Sequence, residues 1–331
     1  MSAASSLPSF ESIQAAQARI TPFVRHTPLE PSAALSSRLG ARAFLKLECL
    51  QVTGSFKPRI SFNKLLSVSE QQRAHGVVAS SAGGHGMGLA YAAKTLGVPA
   101  ELFLPHSVDA RKLAVIRHHG AQTRFFESVE AARVAARAHA LEHGQLFVSA
   151  YNDADVIAGG GTVGLEVAAE LPEVDLVVVG VGGGGLLSGM GLALEQLAPT
   201  ARLWGVQPEE SPVLARWLEK GQPVPVETRP SIADGLGAHV ETGTLTFPLL
   251  QRLVERMVLV SEADIRDAMA WLLEEHQLVV EPSGAAPVAA LLRHPPVGFR
   301  HVVAVITGRN ISRERYVGLL GERLTGTRQA A

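Results

Sequence analysis

Lys57 stands in the stretch TGSFKPRI, with Ser55 and Phe56 before it and Pro58 after it. A lysine that only faces water has no need of that small, hydroxyl-bearing turn, whereas a lysine amine partly removed from water condenses with carbonyl groups. Two glycine loops accompany it. In DLVVVGVGGGGLLSGMGLAL a buried-type strand runs into Gly182, Gly183, Gly184 and Gly185 and then into a helix. Such a loop turns sharply, lets a ligand approach the backbone closely and presents free amides to a phosphate. The stretch SSAGGHGMG repeats the arrangement beside Ser81 and His85.

Two loops of this kind suit two anionic groups, where a dinucleotide would need only one. A reactive lysine, a phosphate loop and a second anion loop together describe pyridoxal phosphate chemistry, with an imine, a cofactor phosphate and a substrate carboxylate to hold. Gly180, Gly182 and Gly185 also satisfy G-x-G-x-x-G, and Glu209 and Glu210 follow the next strand. A nicotinamide-dependent oxidoreductase using the Gly180–Gly185 loop is therefore an alternative. It leaves Lys57 and the second loop without a role. The bland readings are a surface lysine at a helix start and a tightly packed glycine turn. The twelve histidines give no H-E-x-x-H spacing, no G-x-S-x-G elbow is present, and RHHG at 117–120 reads as a helix end.

These residues need a scaffold. From about residue 43, short apolar runs (AFLKL, GVVAS, AELFL, LFVSA, DLVVVGV, RLWGV, HVVAVIT) alternate with segments of helical period. One of these, SEADIRDAMAWLLEEH, places Ile265, Ala268, Met269, Leu272 and Leu273 on one face behind a capping-box-like start at Ser261 and Asp264. Strands that alternate with helices and are apolar on both faces predict an α/β fold, with parallel-rich sheets flanked by helices. EKGQPVPVETRPSIADG reads as a proline-rich surface connection close to a site. The 331 residues allow one large or two medium domains, and 47% hydrophobic with 18% charged residues is an ordinary globular composition. A formal net charge of -1, with no dense basic run, disfavours nucleic acid. The absence of a long apolar run or signal core makes a membrane partner unexpected and a cytoplasmic location the default. The lone Cys49 builds neither an internal disulfide nor a zinc cluster, and is expected in the core.

The segments KLECLQVTGSFKPRISFNKL, SSAGGHGMGLAYAAKTLGVPAELFLP, DVIAGGGTVGLEVAAELPEVDLVVVGVGGGGLLSGMGLAL, VVEPSGAAPVAAL and VVAVITGRNIS resemble, in the same order, the motifs of the fold-type-II pyridoxal phosphate enzymes. The likeness is strongest to the serine/threonine dehydratase and serine racemase branch, with a phenylserine dehydratase among the possible members. It implies a two-domain, tryptophan synthase β-like fold with the cofactor in the interdomain cleft. The large domain would be discontinuous, 1–70 and 150–331, and the small mobile domain would span 71–149. The resemblance also implies roles. Lys57 carries the cofactor and later acts as base at the substrate α-carbon, and Phe56 packs against the pyridine ring. Gly182, Gly183, Gly184 and Gly185 hold the phosphate, and Thr307 stands beside the pyridine nitrogen. Ser81, Ala82, Gly83 and His85 receive the substrate carboxylate.

At the cofactor position where the family carries asparagine, which bonds the phenolic oxygen, this chain has Gly84; where the family has glutamine it has Met87. With Gly86, these changes predict a roomier, less polar pocket that admits a larger, even aromatic, β-substituent. Ile60 and Arg309 also replace usual glycines. Ala82 replaces the hydroxyl residue of serine racemase and has no proton to give, which favours elimination over a racemase of that type. Glu209 and Glu210 do not reproduce that branch's metal spacing, so no metal is expected. The expected activity is α,β-elimination from a β-hydroxy L-amino acid (threonine, serine or 3-phenylserine) to a 2-oxo acid and ammonia. The expected assembly is a homodimer acting on a small-molecule amino acid.

Overall fold

The computed structural model describes residues 7–81, 83–237 and 240–321. Among these, ten strands form two sheets: β1 (Leu29–Pro31), β2 (Arg42–Lys46), β3 (Val77–Ser80), β4 (Ala100–Pro105), β5 (Gln122–Phe126), β6 (Leu146–Phe147), β7 (Leu176–Gly180), β8 (Arg202–Pro208), β9 (Arg256–Val260) and β10 (His301–Val305). The larger sheet has the order β1-β2-β10-β7-β8-β9, parallel throughout except for the β1–β2 pair. The smaller runs β5-β4-β3-β6 and is all parallel.

Alternate residues of a strand point to opposite faces. In the larger sheet Leu176, Val178, Val302 and Ala304 enter one apolar cluster, while Val177, Val179, Val303 and Val305 enter another. Both faces are covered, which is why these strands read as unbroken apolar runs. In the smaller sheet Val77, Ala79, Leu102 and Leu104 pack on one side. Val78 and Phe103 pack on the other, against Ala132, Ala136 and Ala140 of the helix Val129–Glu142. The capping box expected at Ser261 is present, Asp264 N donating to Ser261 Oγ at 3.2 Å and Ser261 N to Asp264 Oδ2 at 3.0 Å. Cys49 is buried, and His118 ends the helix Ala110–His118. Among the described residues no helix is long and apolar enough to cross a membrane.

The strand order determines what can meet. From β7 the chain moves outward through β8 and β9, then returns to place β10 on the other side of β7. The carboxyl ends of β2, β10 and β7 therefore stand side by side at a reversal of strand order, the place where open α/β sheets bind ligands. β2 leads toward Ser55–Lys57, β10 into Thr307 and β7 into Gly182–Gly185. The helix Lys57–Ser67 sends Phe62 and Leu65 into the core of the smaller sheet, so the two layers share it.

Candidate active site

Lys57 is fixed from several sides. Phe56 N donates to Thr307 O at 3.2 Å, and Ser55 forms an isolated antiparallel bridge with Gly308, so the segment is tied to the end of β10. Lys57 opens the helix Lys57–Ser67, and Pro58 follows in the first turn, where a missing N–H breaks no helical bond. The helix Gly84–Leu96 presses on it: a Cβ on Gly88 would lie 2.9 Å from Lys57 Cβ. The ammonium nitrogen of this half-buried lysine stands 4.5 Å from the Phe56 ring centroid. Burial pushes the Lys57 amine down to about 8, while the charge of Glu281 pulls the other way.

The glycine run after β7 is a built cradle. Gly184 has φ 88, in the left-handed region, and caps the helix Gly185–Leu197. Among the described residues the amides of Gly182 to Gly185 take part in no backbone hydrogen bond outside the helix ladder, and the Gly183 carbonyl is held by Thr246 Oγ1 at 2.8 Å. Tyr151 packs on this run: a Cβ on Gly183 would fall 2.2 Å from Tyr151 Cγ, and one on Gly185 3.0 Å from Tyr151 Cα. Its hydroxyl accepts from Glu241 N at 3.2 Å. Sequence reasoning missed Tyr151, because SAYNDADV carries no glycine or charge pattern that ties it to residue 183.

The second loop is shorter than its sequence suggests. Gly83 is the helix cap, and His85 belongs to the first helical turn rather than to the loop. Gly83 N donates to Ser81 Oγ at 3.2 Å; Ala82 lies outside the described residues. His85 Nε2 lies 3.1 Å from the Val148 carbonyl, which can only accept, so Nε2 carries the hydrogen. Burial first, then the charge of Lys57, push His85 down to about 3, so it is neutral at pH 7 and Nδ1 is an acceptor. His85 Nδ1 and the nearby Ser55 Oγ are both buried without a hydrogen-bond partner.

None of the three residues expected to enlarge the pocket, Gly84, Gly86 and Met87, leaves open space at its own side-chain position. A Cβ on Gly84 would lie 3.3 Å from Ser55 Oγ and 3.4 Å from Lys57 Cγ, so the helix start closes onto these residues. A Cβ on Gly86 would fall 2.2 Å from Ser81 O, which makes that glycine a requirement of the turn. Met87 is 2% exposed and packs in the core of the smaller sheet. Gly84→Asn is accordingly expected to push on Lys57 and lower kcat for small and large substrates alike, by tenfold or so. A selective loss for bulky substrates, in a side-by-side kinetic comparison, would restore the open pocket.

Thr307 is 7% exposed at the end of β10, whereas Arg309 is exposed to solvent. The nearby Glu281 caps the helix Pro282–Arg293, and burial lifts its carboxyl to about 7 against the pull of Lys112. The proline-rich connection does end beside the site, Gly235 N donating to Ser283 Oγ at 3.0 Å. Ion pairs join the layers there, Lys112 to Asp234 at 2.8 Å and Arg137 to Glu241 at 2.7 Å. No group of three His, Cys, Asp or Glu among the described residues is placed to hold a metal ion.

Comparisons with known proteins agree with this geometry. The family model described as Pyridoxal-phosphate dependent enzyme matches residues 20–308. The chain is 42% identical over 307 residues to L-threonine ammonia-lyase of Thermotoga maritima, covering 91% of this chain and 75% of that one. It is 37% identical over 317 residues to L-threo-3-hydroxyaspartate ammonia-lyase of a Pseudomonas species, covering 95% and 99%. Maize serine racemase superposes with a TM-score of 0.90 at 30% identity, covering 97% of this chain and 99% of that one.

Proposed function

The chain belongs to the pyridoxal-phosphate dependent enzymes, and from that premise we propose that it releases ammonia from a short 3-hydroxy L-amino acid, threonine or serine, through the amine of Lys57. It is a lyase of the hydroxy amino acid ammonia-lyase kind, with pyridoxal phosphate as cofactor. The observation that carries the assignment is the placement of a half-buried, depressed-pKa lysine beside the end of β10, against the start of a glycine-led helix.

The residues present fit the cofactor. The unused amides of Gly182, Gly183, Gly184 and Gly185 suit its phosphate, in a cradle that side chains would fill. Phe56 offers an apolar face to the ring, and the Thr307 hydroxyl a neutral partner to the ring nitrogen. The orphaned Ser55 Oγ offers a hydrogen bond beside Gly84, where the family's asparagine is missing. When bound, the cofactor supplies an aldehyde that condenses with the substrate amine, and a conjugated ring that withdraws electrons from the α-carbon.

The protein does the rest. Ser81, whose Oγ accepts from Gly83 N and keeps its own hydrogen to donate, and the amide of Gly84, at a helix start, bind the substrate carboxylate. Neutral His85 takes a different part in this proposal, because an acceptor nitrogen repels a carboxylate: Nδ1 accepts a hydrogen bond from a substrate donor. Lys57 Nζ, deprotonated, takes the α-proton, the β-hydroxyl leaves so that one water is lost overall, and the released enamine tautomerises and takes up one water to give the 2-oxo acid and ammonia. The packing of Gly84 and Gly86 supports a short β-substituent over the phenyl of 3-phenylserine. Residues 71–149 moving against 1–70 and 150–331, in a homodimer in the cytoplasm, complete the proposal.

Two measurements test it. The first is 2-oxo acid and ammonia release from L-serine, L-threonine and L-threo-3-phenylserine, with the D-enantiomer of each assayed as well. Equimolar 2-oxo acid and ammonia from threonine or serine is expected; preference for phenylserine overturns the short-substituent assignment, and accumulation of D-amino acid alone the elimination. The second is the pH dependence of covalent cofactor attachment to the apoenzyme. Only the neutral amine attacks a carbonyl, so with Lys57 near 8 the rate should rise about tenfold per pH unit below 8 and level off above it. A rise continuing to pH 10 would give Lys57 an ordinary lysine pKa and remove its special environment.

A further inference from the structure

We infer that Arg59, two residues beyond Lys57, is the positioning residue that fixes where the Lys57 amine stands. This rests on Lys57 being the reacting amine. Arg59 is 1% exposed, and its guanidinium spans two carboxylates. Nε and Nη2 donate to Glu48 Oε2 and Oε1 at 2.9 and 2.8 Å; Nη1 and Nη2 donate to Glu166 Oε1 and Oε2 at 2.7 and 2.9 Å. Nη2 also reaches Arg25 O at 3.2 Å, and Nη1 Thr162 Oγ1 at 3.4 Å. Lys46, itself 0% exposed, continues the network to Glu166 at 2.8 Å and to Glu170 at 3.0 Å. The outcome is a closed set: two buried cations and two buried anions, with Glu170 at its solvent end.

A buried cluster of this kind is a poor way to gain stability, because removing four charges from water costs several kcal/mol per ion and apolar packing often does as well. Its gain is in geometry. A doubly bidentate guanidinium has one orientation, which a lysine ammonium cannot reproduce. The partners come from separate elements: Glu48 follows β2, and Glu166 and Thr162 lie on the helix Ala154–Glu170. That helix is pressed against the Lys57 helix at Gly159, where a Cβ would fall 2.8 Å from Arg59 O. Residues 57 and 59 leave a helix about 200° apart. With Arg59 clamped on one side, the opposite side of the first turn, which carries Lys57, is held against Gly84 and Gly88. A shift of about 1 Å in such a group costs on the order of 100-fold in rate.

The test is Arg59→Lys, which keeps the charge and loses the fork, with Glu48→Gln as a second variant should the first fail to fold. Four readouts are compared with the parent: near-UV circular dichroism, inorganic phosphate affinity of the apoenzyme, the rate of covalent pyridoxal phosphate attachment to Lys57 by peptide mass, and kcat against KM for the holoenzyme. The expected result is a folded protein with unchanged phosphate affinity, attachment at least tenfold slower, kcat down 10- to 100-fold and KM within twofold. A folded variant with attachment rate and kcat within twofold of the parent overturns the inference, as does a loss confined to KM. Failure of the parent itself to attach the cofactor at Lys57 would instead refute the functional reading.

Discussion

Lys57→Ala is expected to lower turnover by about 10⁴-fold, the upper end of what one positioned proton-transfer group contributes, while the protein stays folded. The loss follows from geometry, since the Phe56 ring, Gly84 and Gly88 surround Lys57 beside the segment that follows β10. Retention of the fold follows from the energetics of the amine. Its pKa of about 8 lies below the ordinary 10.5, so the folded protein holds the proton less tightly than the unfolded chain. Such a group opposes folding while protonated and ceases to do so as pH rises from 8 to 10.5. At pH 7 the alanine variant should therefore melt no lower than the parent, and the difference should shrink above pH 8. Calorimetry at pH 7 and pH 10 checks this; a variant that unfolds at pH 7 would give Lys57 a structural role.

Glu166→Ala should have the largest effect on stability. Burial alone would raise this carboxyl, but Arg59 and Lys46 outweigh it and hold it below the usual carboxylate range. Truncation leaves both cations buried with half their partners gone, and breaking a buried pair costs about 3–5 kcal/mol. A fall in Tm on the order of 10 °C is expected. Glu314→Ala, in an exposed pair with Arg313, should change Tm by less than a degree or two. Equal effects at the two sites in thermal melts would show that the buried cluster is no more than a solvated ion pair.

What could be read from the sequence was whatever is local. β7 and β10 announced themselves because both faces are covered and every position after His301 of β10, like every position of β7, is apolar. The glycine run and the Ser261 cap are short-range patterns in which each residue acts on its neighbours. β1 has three residues, β5 reads QTRFF with Gln122 exposed, and β9 starts at exposed Arg256; none shows a clean period, so each depends on its partner strand. Met87 was misjudged by comparison with the family motif, although Met87, Ala90 and Ala93 recur at helical spacing and place it in the core. Tyr151 on Gly183 and Glu166 on Arg59 are tertiary contacts between distant segments, and no local pattern contains them.

The measurement closest to the central claim is borohydride reduction of the pyridoxal phosphate-loaded protein, followed by peptide mass analysis. The account requires the cofactor mass on the peptide containing Lys57, with loss of both visible absorbance and turnover. Attachment to a different lysine, or full turnover persisting after reduction, would contradict it.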